Sequence, residues 1–189
     1  MLTATYSLLA IRFEQKNACT ILARLRRYLH SMQREKSCAD QPMLVSIFSQ
    51  LQQFDQYLHA RKIERHVIPV LCCATDEADL LVEELEMLSL SAWRSLSTLQ
   101  HYLHRCACGG DQRPFFSAAE HYCESMAQRL EKEDESLMYF VGEVLTRENW
   151  FALGARFLTE DGEKYTSRGG LAPPVQLTAV ISGESTATN

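Results

Sequence analysis

Two short segments of the chain carry the residue types and the spacing of a metal half-site. A histidine with a glutamate four residues later presents both side chains on one face of a helix, where they can bind a cation together. His59 fits the first position of this pattern, but Ile63 stands where the acid is expected. Glu133 fits the second position of another copy, but Arg129 stands where the histidine is expected. The chain therefore has the outline of a metal site whose chemistry has been partly or wholly removed.

A second group of potential ligands lies where a predicted helix ends. His101 and His104 are three residues apart and share one helical face. Cys106 and Cys108 follow, and Cys38 is predicted to lie in a loop at the same end of the fold. Such a set suits zinc or copper, and its two later thiols also suggest a thiol-based sensor. The alternative is that the basic residues only complement the C-terminal dipole of the helix before a Gly-Gly stop.

Apolar residues recur at three- and four-residue steps along most of the chain, as is typical of amphipathic helices. Asp40 ahead of Pro42 is predicted to cap the second helix, and Thr146 a short fifth helix that ends near Leu158. Short links between long helices can only reverse the chain direction. We therefore expect an all-α, up-down-up-down four-helix bundle whose apolar stripes run over residues 8–29, 44–63, 81–103 and 115–144.

The length of 189 residues suits one domain, predicted over residues 1–158. Glycine, proline, serine and threonine dominate residues 159–189, which are predicted to form a flexible tail. The net charge of −5 argues against nucleic acids and anionic membranes as partners. The first residues show neither a signal peptide nor a membrane span, so a cytoplasmic protein is expected.

Several segments together resemble the hemerythrin-like family of four-helix bundles, which hold a di-iron centre with histidines and carboxylates. The segment from His59 to Leu71, with Ile68-Pro69, looks like the family's histidine-bearing helix. Residues 132–138 look like the matching part of the last helix, and residues 145–150 resemble the short segment that follows it in many bacterial members. The resemblance covers residues 8–158.

The resemblance implies which positions would bind the metal, and most of them carry another residue type. The ligand slots fall on Gln15, His59, Ile63, Glu84, Arg129 and Glu133. Only His59 and Glu133 are of the expected type, so a di-iron centre is not expected. The guanidinium of Arg129 is instead predicted to fill the metal's place and to bridge Glu133 with Glu84. The alternative is a surface pair between Arg129 and Glu133.

Two functions from different classes remain open at this point. The first is a non-enzymatic regulatory or interaction module that has lost the di-iron site and acts through an unidentified protein partner or a homodimer. The second is a metal-dependent binder or sensor of oxygen, nitric oxide or iron. Its reduced ligand set would be His59, Glu84 and Glu133, with His66 as a further candidate. No cofactor is expected under the first function, and iron or zinc under the second.

Overall fold

The computed structural model describes residues 2–34, 40–107 and 110–167, and every regular element in these ranges is helical. Two π-helical segments, Ile63–Val67 and Glu133–Leu137, lie within the second and fourth predicted helices, and a 3₁₀ turn spans Asp76–Ala78. The α-helices are α1 (Leu2–Arg34), α2 (Gln41–His59), α3 (Ile68–Ala74), α4 (Asp79–Ala107), α5 (Arg113–Lys132), α6 (Met138–Val144) and α7 (Arg147–Ser167). Within the described ranges, no helix is both long and apolar enough to cross a membrane.

The long helices pack against one another in pairs. Helix α4 lies along α5, α5 along α1, α1 against α2, and α2 against α4, while α7 packs on α1. The buried side chains come from the apolar stripes of the sequence, because burying one stripe per helix removes most apolar surface from water. They form two clusters. One is centred on residues such as Leu22, Leu51, Leu99 and Met126, and the other on Ile11, Val67, Leu137 and Phe157.

The second predicted helix is interrupted at Ala60 and Arg61, where the chain makes a turn before helical structure resumes. Arg61, Lys62 and Ile63 are all buried. Three consecutive residues cannot all lie on one face of a regular α-helix, because successive residues are turned by about 100°. The interruption is therefore what allows all three side chains to face the interior.

The two π-helical segments each contain one backbone turn that is wider than an α-helical turn. In each, a backbone N–H bonds the carbonyl five residues earlier, from Ile68 to Ile63 and from Met138 to Glu133. Each segment buries two residues four positions apart, Ile63 and Val67 in the first and Glu133 and Leu137 in the second. Short π-helical turns inside α-helices occur frequently at functional sites, and both of these adjoin the buried charges described below.

The predicted helix caps are present. The Asp40 carboxylate accepts a hydrogen bond of 3.0 Å from the N–H of Met43, and the Thr146 hydroxyl accepts one of 3.3 Å from the N–H of Asn149. The predicted end of the last helix near Leu158 is wrong, since α7 continues to Ser167. The polar residues after Leu158 remain helical because their side chains form contacts with other helical segments of the protein. Residues 168–189 of the predicted tail lie outside the described part of the chain.

The docking of α7 can be tested with two phenylalanines of that helix. Phe157 is fully buried and contacts the ring of His66, whereas Phe151 is 64% exposed. We expect Phe157→Ala to lower the free energy of unfolding by about 3–5 kcal/mol, and the control Phe151→Ala to change it by less than about 0.5 kcal/mol. Urea denaturation measures both. Equal effects of the two substitutions would contradict the packing of α7.

Candidate functional site

A layer of buried polar residues separates the two hydrophobic clusters. Each contributing helix passes from one cluster to the other at this level, so Gln15 lies between Ile11 and Ala18, and Arg61 between Leu58 and Ile63. The residues of the layer are Gln15, Arg61, Arg129 and Glu133, all buried, together with the partly buried Glu64 and Ser89. Charged groups taken from water require partners, so the contacts within the layer determine whether it can exist.

The carboxylate of Glu133 is held between two guanidinium groups. Arg61 binds it in a bidentate manner, with Nη1 2.9 Å from Oε2 and Nη2 2.8 Å from Oε1. Arg129, one turn earlier on α5, donates from Nε to Oε1 at 3.0 Å. The side chains of Arg61 and Glu133 are completely inaccessible to solvent. Bidentate, charge-assisted pairs of this kind are among the strongest hydrogen-bonded contacts in proteins.

Gln15 orients Arg61 from the opposite side. Its Oε1 accepts a hydrogen bond of 2.8 Å from Nη1 of Arg61, and its Nε2 donates one of 2.7 Å to the carbonyl of Leu130. Arg61 also donates from Nε to the carbonyl of Leu58 at 3.3 Å. Both ends of the Gln15 amide are therefore occupied, and α1 is connected to α2 and α5 at one level.

Arg129 connects the layer to α4. Its Nη1 donates to the carbonyl of Leu85 at 2.8 Å and also contacts the hydroxyl of Ser89. Its Nη2 forms an ion pair with Glu64, which also lies 3.6 Å from Nη2 of Arg61. The predicted burial of Arg129 beside Glu133 thus agrees with the structure, and the surface-pair alternative does not. The second acid is Glu64, not the predicted Glu84.

The charges of the layer are balanced. Two guanidinium groups, from Arg61 and Arg129, face the two carboxylates of Glu133 and Glu64. Burial opposes the charge of Arg61, but the attraction and hydrogen bonds of Glu133, with the attraction of Glu64, outweigh it and raise the pKa of Arg61 above its usual value. Arg61 is therefore a fixed positive charge in the interior.

A second polar network attaches α7 beside this layer. Lys62 Nζ lies 2.9 Å from Asp161 and 3.3 Å from Glu14, and the backbone N–H of Lys62 donates to Glu14 at 2.7 Å. Tyr6 donates its hydroxyl to Asp161 at 2.7 Å, and this bond, with burial, raises the pKa of Tyr6. Glu14 thus satisfies the backbone at the point where helical structure resumes after Arg61.

Two of the predicted ligands do not face the interior. The side chain of His59 is 63% exposed and lies 3.7 Å from Asp55, and that of Glu84 is 56% exposed and pairs with Lys132. The prediction that both point inward is wrong, because the turn after His59 brings Arg61 to the interior instead and Glu84 neighbours the buried stripe without belonging to it. Glu133 is therefore buried, whereas the two other proposed metal ligands are exposed to solvent.

The remaining predicted ligands also have other roles. Ile63 is fully buried in the second hydrophobic cluster. His66 places Nε2 2.9 Å from Glu160 and its ring 5.7 Å from that of Phe157, so it helps to attach α7. Glu160 also binds Arg65 at 2.7 Å.

Sequence reasoning missed Arg61, Glu64 and Ser89 as members of the layer. A signal for Arg61 was present, because it stands three residues after the buried Leu58 and so continues the apolar stripe of α2. Glu64 lies three residues after Arg61, a spacing at which helical side chains meet. Ser89 likewise continues the apolar stripe of α4, four residues after the buried Leu85 and three before the buried Ala92, but its contact with Arg129 depends on how α4 and α5 are aligned.

The thiol and imidazole group at the end of α4 is not assembled as a site by the described residues. His101 is exposed, and the exposed His104 directs Nδ1 to the carbonyl of Gln100 at 3.0 Å. The thiol of Cys106 lies 3.8 Å from the carbonyl of Asp111, and burial raises its pKa. A raised pKa disfavours the reactive thiolate, contrary to what a thiol sensor needs. Cys108 and Cys38 lie outside the described residues.

The polar layer does not have the donors of a transition-metal site. Iron and zinc bind imidazole, carboxylate and thiolate groups, but here both oxygens of Glu133 are bound by guanidinium groups that are themselves cations. In the part of the chain that the structure describes, no three histidine, cysteine or acidic residues are grouped so as to hold a metal ion. The buried residues therefore do not fit the di-iron centre that the resemblance implies.

The chain matches no model of a known protein family, no curated protein and no solved structure. Conclusions about its function therefore depend on the chemistry of the residues themselves.

The buried ion pairs predict a specific pattern of stability. Arg61→Met leaves Glu133 one partner short, so the free energy of unfolding should fall by about 3–5 kcal/mol. Arg26→Met, the control, removes an exposed pair with Glu124 and should cost about 0–1 kcal/mol. In the double variant Arg61→Met/Glu133→Met both charges are absent, and its loss should be smaller than the sum of the single losses. Additive losses in urea denaturation would contradict this coupling.

The cysteines predict an order of alkylation. Cys123 is buried, and burial raises its pKa to about 12, so the folded protein should hold it as an unreactive thiol at neutral pH. Cys73 is exposed and should react first. Iodoacetamide labelling followed by peptide mass spectrometry measures both sites, and labelling in urea should abolish the difference. Equal rates in the folded protein would contradict the placement of Cys123.

Proposed function

We propose that the chain is a hemerythrin-like four-helix bundle that has given up its di-iron centre and works as a non-enzymatic regulatory or interaction module. The single observation that carries the proposal is the buried Glu133 bound by both Arg61 and Arg129. The ring of contacts from α1 through α2, α4 and α5 back to α1 supports the bundle arrangement. In this arrangement the guanidinium groups lie at the level where the resemblance implies metal ligands.

Electrostatics support the exclusion of a cation from this layer. At an effective dielectric constant of about 20, a divalent ion about 4 Å from one guanidinium is repelled by roughly 8 kcal/mol. Glu133 and Glu64 attract a cation as well, but they could coordinate it directly only if they gave up Arg61 and Arg129. Leaving a buried arginine without its partner is itself unfavourable by several kcal/mol. The present partners and a metal ion thus compete for the same two carboxylates.

The described residues offer little support for catalysis. One serine and histidine pair, Ser91 and His121, has Oγ and Nε2 3.5 Å apart. Both face an open groove of about 510 Å³ between α4 and α5. A catalytic serine needs a base within about 3.2 Å that is itself oriented by a third group, and the 3.5 Å separation of Ser91 and His121 exceeds that distance. A binding role is therefore the better-supported proposal.

Metal analysis tests this proposal directly. Protein purified without chelator should contain only substoichiometric iron, zinc or copper, and a chelator should leave its melting temperature unchanged. His59→Ala is the matched control, because the exposed His59 should not affect metal content or stability. About one equivalent of a transition metal per chain, lost in both His59→Ala and Glu133→Ala, would instead establish the metal-dependent alternative.

A further inference from the structure

The outer face of α4 carries a stripe of exposed apolar side chains. Leu80, Met87, Leu90 and Trp93 follow one another at seven-, three- and three-residue steps and are 75%, 57%, 38% and 59% exposed. Residues at such steps fall on adjoining parts of one helical surface. The opposite face of the same helix supplies Leu85 and the rest of its buried line to the interior. Helix α4 is thus apolar on both sides over this stretch.

Acidic residues predominate along the segment that carries the stripe. The chain has no lysine or arginine between Arg65 and Arg94, whereas this interval contains Asp76, Glu77, Asp79, Glu83, Glu84 and Glu86. All six acids are exposed, and Glu84 pairs with Lys132 of α5. A row of exposed leucine, methionine and tryptophan side chains beside a cluster of exposed carboxylates is typical of an interaction site.

We propose that this face of α4, from Leu80 to Trp93, docks a basic amphipathic helix of a partner protein, an inference that rests on the proposed function as an interaction module. The leucine or aromatic side chains of such a helix would cover the apolar stripe, and its lysine or arginine side chains would pair with Glu83 and Glu86. Helices that dock in this way present apolar anchors at three- and four-residue steps. Complementary charge fixes their orientation and speeds association.

Charge also distinguishes this occupant from a second copy of the chain. In a symmetric dimer, a two-fold axis would place the same face of α4 against itself. An axis that passes near the middle of this face would bring Glu83 and Glu86 of one copy close to the acids of the other, and like charges across an interface are unfavourable. Anionic membranes and nucleic acids are disfavoured for the same reason.

The docking face is connected to the buried layer. Arg129 binds the carbonyl of Leu85 and the side chain of Ser89, and Met87 stands between these two residues on the outer side of α4. The buried ion pairs therefore hold the turn of α4 that displays the centre of the stripe. A rigid helix loses little conformational entropy when it docks a partner, which favours binding.

A labelled peptide tests the proposal with the full chain. The probe is a peptide of about five helical turns, built from leucines at three- and four-residue steps with lysines elsewhere, and a scrambled peptide of the same composition serves as its control. We expect saturable binding of the amphipathic peptide by fluorescence anisotropy. The tryptophan emission should shift to shorter wavelength as Trp93 is covered, and Trp93→Phe should remove this shift because Trp150 is already buried.

Two double variants locate the site on α4. Glu83→Lys/Glu86→Lys and Met87→Gln/Leu90→Gln should each weaken peptide binding at least about tenfold. The loss in the charge variant should shrink as salt is raised. All four side chains lie outside the core, so circular dichroism spectra should stay unchanged.

The control variants change the same residue types on helices other than α4. Glu120→Lys/Glu124→Lys reverses two charges on the side of α5 that faces α1, where these acids lie near His30 and Arg26. The second control, Leu9→Gln/Phe13→Gln, removes two exposed apolar side chains of α1. Both should leave the dissociation constant unchanged.

Three results would overturn the inference: binding equally weakened by the control pairs, saturation without a change in Trp93 emission, or undiminished binding by the Glu83 and Glu86 variant. A dimer in sedimentation that Met87→Gln/Leu90→Gln converts to monomer would also overturn it, since a second copy would then cover the face.

Metal analysis keeps the two proposals separate. A metal-free protein that fails to bind the peptide loses only the docking inference, whereas a metal-containing protein that binds it loses only the proposed absence of the metal centre.

Discussion

The bidentate pair between Arg61 and Glu133 is the contact on which the interior depends, because neither charge is accessible to water. An isolated buried charge is highly unfavourable, so each group must find its partners whenever the protein folds. The required partners come from α1, the break after α2, α4 and α5. These partners can reach Arg61 and Glu133 only at one level along each helix. The polar layer therefore specifies the alignment of helices that the apolar contacts above and below it would tolerate in more than one register.

The same level of the fold also determines how α7 is attached. The turn that brings Arg61 inward leaves the N–H of Lys62 without a helical partner, and Glu14 accepts its hydrogen bond. The ammonium group of Lys62 then reaches Asp161, and burial of this group is outweighed by Asp161 and Glu14, which raise its pKa. Two neighbouring residues of one interruption thus serve different networks: Arg61 holds the central helices together, and Lys62 joins α7 to them.

Under the proposed function, the buried layer has a structural task. Glu133 is saturated by its two arginines, and the charges sum to zero without a metal ion. Buried ion pairs contribute little net stability compared with apolar packing but penalise misaligned structures strongly. Such a layer suits a protein that must present one rigid surface. The outer face of α4, which Arg129 holds from within through Leu85 and Ser89, is the surface best placed to benefit.

The sequence by itself determined the helices, since burial follows local periodicity: Leu22, Leu51 and Met126 are buried as their spacing predicts, and Asp40 and Thr146 cap their helices. It also marked Arg129 and Glu133 as interior charges. Only the tertiary structure decided that Arg61 replaces His59, that Glu64 replaces Glu84, and that α7 extends past Leu158. There are two physical reasons. Regular spacing cannot predict a turn that changes which residues of a helix face the interior. Contacts between different helices depend on how those helices are aligned, and the sequence of one helix does not determine that alignment.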